Sequence, residues 1–519
     1  PTDGSAAHPR TGGRAYRGAQ HPPAHPEAPM PSPWLDAAPD VTTDRIDPET
    51  VYDDVIVGGG LTGLVTALLF ARRGHRVAVL EARTVGSVAS GSGSASMSLL
   101  QGRQLQRIRT NTYQSVVDAY VAANRAGFDW MVDYLDEAGV EVERRDAFSY
   151  ATTRAGLATV DDEYLVARKA GLPVVKEFGL DLPFGTTGGL RLPDQAQFDP
   201  VQAIVALVAD VRALGGVVVE GVRVTGVDAT NPTVTHSDGP DVRGRRVHVT
   251  TGSPVLDRGL YFAKLRSERS YGLAFEGVDD LPDGMYQAVD GPTRSFSAVG
   301  DRLVTGGNRH PVGRASSTIA MVDDLAEWTT RHWPGARPTH SWSGQDYGTP
   351  HHVPFVGWLP RGRGRIYLAT GYEHWGLTNA VQAAMTLVSD VLGDPQPWMT
   401  TLHGRVTTPI AIASGIGINA ADAWWAAKGW AGAMTRRLVA VAPAEGQGEV
   451  GRSGGFAPVA RSTVDGEVCT VSAICPHLVG IVTWNDSERS WDCPLHGSRF
   501  AADGSVLEGP ATRGLRRRG

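Results

Sequence analysis

Val55-Ile56-Val57-Gly58-Gly59-Gly60-Leu61-Thr62-Gly63 admits few architectures. The apolar run reads as a buried strand, and the G-x-G-x-x-G after it opens a helix from Leu64 to Arg73, closed by Gly74. Arg76-Val77-Ala78-Val79-Leu80-Glu81 is the next strand and ends in an acid. Strand, glycine turn, helix and acid together make a βαβ unit for a dinucleotide. Gly58, Gly60 and Gly63 let the backbone approach a pyrophosphate on the helix N-terminus, with Leu61 and Thr62 in its first turn. Glu81, followed by Ala82, then accepts hydrogen bonds from ribose hydroxyls. A glycine-rich turn in some other α/β unit is the lesser reading.

Two distant features favour FAD over NAD. Val247-His248-Val249-Thr250-Thr251-Gly252 is a strand ending in a small-residue turn. Ile366-Tyr367-Leu368-Ala369-Thr370-Gly371 is another, leading through Tyr372-Glu373-His374-Trp375-Gly376-Leu377-Thr378 into a helix from Asn379 to Leu392. A helix N-terminus returning late in the chain brings backbone N–H groups toward the pyrimidine end of a flavin. Gly415-Ile416-Gly417-Ile418-Asn419-Ala420 formally repeats G-x-G-x-x-A, but no strand with a terminal acid follows it.

The C-terminal region carries a second motif. Cys475-Pro476-His477 and Cys493-Pro494-Leu495-His496, with residues 478–492 between them, spell C-x-H and C-x-x-H. This is the ligand set of a Rieske [2Fe–2S] centre, with two cysteines on one iron and two histidines on the other. A Cys2His2 zinc site is the main rival. The usual zinc finger pairs its cysteines first and its histidines second, whereas here they interleave. A Cys475–Cys493 disulfide would leave both histidines unexplained. Cys469, in a strand-like run, reads as a buried small hydrophobe.

A chain of 519 residues with 41% hydrophobic content implies two or three domains with sizeable cores. A net charge of −6 gives no reason to expect nucleic acid or anionic membrane as a partner. Three cysteines argue against a secreted disulfide framework and for a reducing cytoplasm. No apolar run reaches membrane-spanning length. Residues 1–49, rich in Pro, Ala, Gly, His and Arg at their start, read as a disordered leader without the apolar stretch of a signal peptide.

From about residue 52 to 395 the chain resembles the glycine/D-amino-acid oxidase-like flavoproteins of the sarcosine-oxidase type. After the leader it is similar throughout to the bacterial subgroup that fuses such a flavoprotein to a C-terminal Rieske domain. Matching segments include Ser98–Gly102, Asp194–Phe198, Arg269–Tyr271, Trp342–Asp346 and Thr370–Asn379. The resemblance implies an α/β fold: a doubly wound FAD-binding domain (50–105, 195–255 and 350–395) interleaved with an α+β substrate domain (106–194 and 256–349). A helical connector (396–444, with an amphipathic helix over 420–438) and a small all-β Rieske domain (445–519) follow. It also implies that Val224 contacts adenine through its backbone. Thr251, Gly252, Gly371, Gly376, Leu377 and Thr378 fall at the flavin. Trp424, Trp425 and Trp430 are expected to pack between domains. Ser96 stands where the family commonly has lysine, and His351 where an acid is common. Gly480, Leu495 and Phe500 occupy the places of the disulfide cysteines and the tyrosine of high-potential Rieske proteins, which leaves Ser498 as a donor to sulfur.

Flavin and cluster in one polypeptide form a two-to-one electron converter. The expected activity is dehydrogenation of a C–N or C–O bond in a small molecule, with single electrons exchanged with a partner protein such as a ferredoxin. A flavin monooxygenase or desaturase fed by the cluster, and a non-enzymatic electron-transfer or redox-sensing module, are the alternatives. Tyr271, His310, Asp346 and His374 are candidate acid–base or orienting groups, each equally readable as an ordinary structural hydrogen bond.

Overall fold

The computed structural model describes residues 30–237 and 239–518. Its first sheet runs in the order Phe355–Trp358, Ile366–Thr370, Val242–Val249, Val51–Val57, Val77–Leu80, Val217–Val219. The inner strands pair in parallel, and Phe355–Trp358 closes one edge antiparallel. A hairpin of Val224–Asp228 and Thr233–His236 extends from Val242–Val249. Both faces are covered where 55–57 and Val77–Leu80 run, and these stretches are apolar without alternation: Val55, Ile56, Ala78 and Val79 are completely buried. The helix Leu61–Ala71 is buried on almost every side because it packs on the helices Pro200–Ala213 and Gly376–Leu392 as well as on the sheet.

A second, nine-stranded sheet carries Arg337–Gly348, Arg266–Glu276, Arg302–Pro311, Arg294–Val299, Met285–Ala288, Glu143–Ala151, Gly188–Gln197 and Ser96–Met97 in order, with Val175–Glu177 also paired to Gly188–Gln197. It is antiparallel except where Met285–Ala288 meets Glu143–Ala151. The chain passes between the two sheets several times. Ser96–Met97 and Gln195–Gln197 pair in the second sheet, although the expected boundaries of 105 and 195 put them in the FAD part.

The connector holds one long helix, Pro409–Thr435, capped by the Thr408 hydroxyl. It starts earlier than the expected 420, and Gly415–Ala420 lies inside it, so this second glycine motif is helix and no nucleotide turn. Trp425 and Trp430 pack on the C-terminal core, but Trp424 is 67% exposed and does not pack between domains as expected. The C-terminal unit is a three-stranded sheet (Gly448–Arg452, Pro458–Val464, Glu467–Ser472) and a four-stranded one (Thr483–Asn485, Ser490–Asp492, Arg499–Ala501, Val506–Glu508). Cys469 is half-exposed on the first of these, not buried.

The expected leader needs correction over residues 30–49. Trp34 is buried, edge-on to Trp342 with ring centroids 5.8 Å apart. Asp44 accepts from Arg212 Nε and Val218 N at 2.8 Å each. An indole and an acid whose Oδ2 accepts two hydrogen bonds dock this stretch despite its loop-like composition. Residues 1–29 of that leader lie outside the described residues.

Candidate active site and cluster centre

A cavity of about 600 Å³ opens at the carboxyl ends of the parallel strands, where open α/β sheets place their ligands. Gly58, Gly60, Leu61, Thr62, Glu81, Ala82, Val224, Thr251, Gly252, Gly376 and Leu377 line it. Gly63 lies behind the turn, where a Cβ would stand 1.9 Å from Gly58 O. Gly58 itself has φ +112° and would press a Cβ to 2.9 Å from Thr250 O. Both Glu81 carboxylate oxygens are held by backbone, accepting from Gly59 N at 2.7 Å and Arg83 N at 2.9 Å. Desolvation raises its pKa against those two bonds. Gly371, with φ +87°, turns the chain off its strand, and Thr378 Oγ1 accepts from Gln101 Nε2 at 3.0 Å; neither lines the cavity. The helix Gly376–Leu392 has no side-chain cap, which leaves its first N–H groups for a ligand. A glycine cradle, a fixed acid and an open helix terminus fit FAD.

Tyr271, Asp346 and His374 border the same cavity, as do Arg107, Arg309 and Ser96. His310 stands behind Tyr271, its Nε2 3.0 Å from the phenol oxygen, and burial lowers its pKa. Asp346 accepts from the backbone of Tyr347 at 2.7 Å and from that of His374, while burial raises its pKa. Glu373 and His374 both adopt left-handed backbone, at φ 51° and 73°, a strained turn at the cavity rim. Behind them stands a charged layer that sequence reading missed. Arg107 Nη2 meets Glu373 Oε1 at 2.7 Å, and Glu268 lies between Arg266, Arg309 and His374. No local spacing links these residues, so no motif announces them. His351 turns away, bonded to Thr349 Oγ1 at 3.2 Å and facing Arg405.

The four expected cluster ligands converge. Two turns of the same form carry them: Cys475 N donates to Gly480 O and Cys475 O accepts from Val479 N, while Cys493 N donates to Ser498 O and Cys493 O accepts from Gly497 N. Both thiols are buried, and the imidazoles of His477 and His496 lie 5.1 Å apart. Among the described residues no three His, Cys, Asp or Glu side chains gather as a single-ion site; a two-iron cluster divides its ligands two and two. A Cβ on Gly480 would lie 2.8 Å from Leu495 Cδ1, so those two positions touch as a disulfide pair would. Phe500 is wholly buried, and Ser498 Oγ accepts from Ala511 N at 3.0 Å and reaches the Cys475 thiol.

The flavoprotein half covers both imidazoles. Phe262 stands edge-on to His477 and His496, 5.1 Å from each. Asp257 Oδ1 is 3.1 Å from His477 Nε2, and Asp422 Oδ2 of the connector is 4.0 Å from His496 Nε2. Arg314 holds the seam by donating to Pro494 O at 2.9 Å and pairing with Asp422. Leu507, Glu508 and Gly509 of the C-terminal unit reach across and line the flavin cavity.

A model of the FAD dependent oxidoreductase family matches residues 53–389. The chain belongs to that family. A Rieske [2Fe-2S] domain model matches residues 444–517, so this FAD-dependent oxidoreductase carries an iron–sulfur domain at its C-terminus. The putative Rieske 2Fe-2S iron-sulfur protein YhfW of Bacillus subtilis is 29% identical over 482 residues, 90% of this chain and 93% of the relative. The cytochrome b6-f complex iron-sulfur subunit of a Synechococcus strain is 49% identical over 45 residues, 9% of this chain and 26% of that subunit. Glycine oxidase from Geobacillus kaustophilus shares the fold of the flavoprotein half, with a TM-score of 0.58 at 19% identity over 69% of this chain and 98% of that one. Among the described residues, no helix is long and apolar enough to cross a membrane.

Proposed function

We propose that this oxidoreductase dehydrogenates a C–N or C–O bond of a small carboxylate-bearing molecule and passes the electrons singly through the cluster to a one-electron carrier protein such as a ferredoxin. The observation that carries this reading is the shared wall: Leu507, Glu508 and Gly509 of the cluster-bearing unit border the flavin cavity. FAD accepts a hydride and releases electrons one at a time, and a Rieske cluster carries one. The guanidiniums of Arg107 and Arg309 in the cavity wall suit a substrate carboxylate. Asp346, its pKa raised by burial, is the acid placed to take a proton from a substrate nitrogen or hydroxyl. Amine oxidation in glycine oxidase, whose fold this half shares, points the same way.

Anaerobic mixing of the holoprotein with a panel of amino acids, N-methylated amino acids and 2-hydroxy acids tests this. The expected outcome is flavin bleaching by at least one of them, followed by the electron paramagnetic resonance signal of the reduced cluster. Bleaching that never reaches the cluster overturns the relay. Flavin reduction by a reduced ferredoxin but by none of the panel overturns the direction.

A further inference from the structure

Gln345 lies where the two cofactor sites meet. It sits in the strand Arg337–Gly348, is 3% exposed, and borders the flavin cavity with Gly344, Asp346 and Tyr347. Its amide is fully engaged. Nε2 donates to Gly497 O at 2.8 Å and to Tyr347 OH at 2.7 Å, while Oε1 accepts from Arg269 Nη2 at 2.8 Å. A guanidinium can only donate, so Arg269 fixes which end of the amide faces it and turns the N–H groups toward Gly497. Arg269 is itself immobile: it is completely buried, bonded to Ser343 Oγ at 2.5 Å, and within ion-pair reach of Asp492 and Glu508.

Gly497 directly follows the ligand His496, and its N–H closes the cluster turn on Cys493 O at 3.1 Å. The carbonyl that Gln345 holds therefore belongs to the cluster turn itself. With φ +79°, Gly497 lets the turn press on the strand: a Cβ there would lie 2.6 Å from Ser267 Cβ and 2.9 Å from Gln345 Nε2. On the other side, Tyr347 packs against Gly252, where a Cβ would lie 3.2 Å from its ring. Gly252 lines the flavin cavity. The path from cluster turn to cavity wall thus runs Gly497, Gln345, Tyr347, Gly252, with hydrogen bonds across its first two junctions.

We propose that Gln345 is the positioning residue that seats the cluster turn against the flavin cavity and sets the rate of electron exchange between them; this rests on the relay described above. Each exchange moves one electron and no heavy atom. A proton given up at the flavin goes to cavity water, and a one-electron carrier protein takes the electron from the cluster.

The test uses holoprotein with Gln345→Leu, which keeps bulk and removes the amide, and Gln345→Glu, which keeps an acceptor for Arg269 but opposes the Gly497 carbonyl. A substoichiometric pulse of reduced methyl viologen is mixed anaerobically, and electron redistribution between cluster and flavin is followed optically. Both variants are expected to exchange about tenfold more slowly than wild type, as the loss of a buried hydrogen bond unseats the turn. Flavin and iron contents should stay the same, and the Gly497 amide should exchange hydrogen faster. Exchange within twofold of wild type in whichever variant retains both cofactors overturns the assignment to Gln345 alone. Wild-type protein in which the two centres never exchange electrons overturns the relay and the assignment together.

Discussion

Gly63 is a residue whose side chain is excluded by geometry. A Cβ placed 1.9 Å from Gly58 O forces the phosphate turn open, so Gly63→Ala is expected to yield protein with little bound flavin, read from the ratio of visible to ultraviolet absorbance. Glu268 acts through charge. Burial alone would raise its pKa, but His374, Arg266 and Arg309 outweigh burial and bring it down to about 2 from 4.5. A carboxylate depressed in this way stabilises the fold above its ordinary pKa, and that contribution is lost as pH falls from about 4.5 to about 2. Glu268→Gln should therefore cost roughly 2–3 kcal/mol at pH 7 and progressively less toward pH 2, measured by urea unfolding at pH 7 and pH 3. Residues at this scale differ in how far sequence reveals them. The four candidate cluster ligands stand out in the sequence because turn geometry fixes their spacing within each loop. Asp257 meets His477 from 220 positions away, and nothing local to Asp257 or Phe262 distinguishes them from any loop acid or aromatic.

Elements show the same division. The cluster turns were legible down to their substitutions. Gly480 against Leu495 cannot form a disulfide, buried Phe500 has no hydroxyl, and Ser498 alone of the expected donors reaches a thiol. Fewer hydrogen bonds to sulfur leave the reduced cluster less stabilised. A midpoint potential near the low end of the Rieske range, about −150 mV, is expected, and a redox titration giving a value well above zero would contradict it. The segment Asp257–Phe262 adds a carboxylate beside His477, which favours the more positive, oxidised cluster. Asp257→Asn should raise the potential by roughly 20–60 mV, small because Asp257 is largely exposed. The connector helix was harder to read. Gly415 and Gly417 broke its pattern, and its solvent side carries Ile412, Ile416 and Trp424 where a surface helix would be polar. The cap at Thr408 followed by Pro409 marks the true start.

At the scale of the whole molecule, two sheets share one chain and a third unit completes their cavity. The doubly wound half was recoverable because the glycine turn after Val51–Val57 and the acid ending Val77–Leu80 mark a dinucleotide unit in the sequence. The seam was not, since it is assembled from Arg314, Gln345, Asp422 and Gly497, whose partners are remote in sequence. Through that seam, flavin environment and cluster integrity are expected to depend on each other. Cys475 and Cys493 lie within the C-terminal hydrophobic core, packed with Trp491, Phe500 and Ala511. Where metal ligands form part of a core, binding free energy is also folding free energy. Cys475→Ser combined with Cys493→Ser should abolish the cluster and loosen this core. Leu507, Glu508 and Gly509 should then withdraw from the flavin cavity. Flavin should bind several-fold more weakly and its fluorescence should become more accessible to iodide quenching, although no flavin-binding residue of the N-terminal half has changed. Quenching and flavin affinity equal to wild type in the cluster-free protein would show that the cavity wall holds its place without iron.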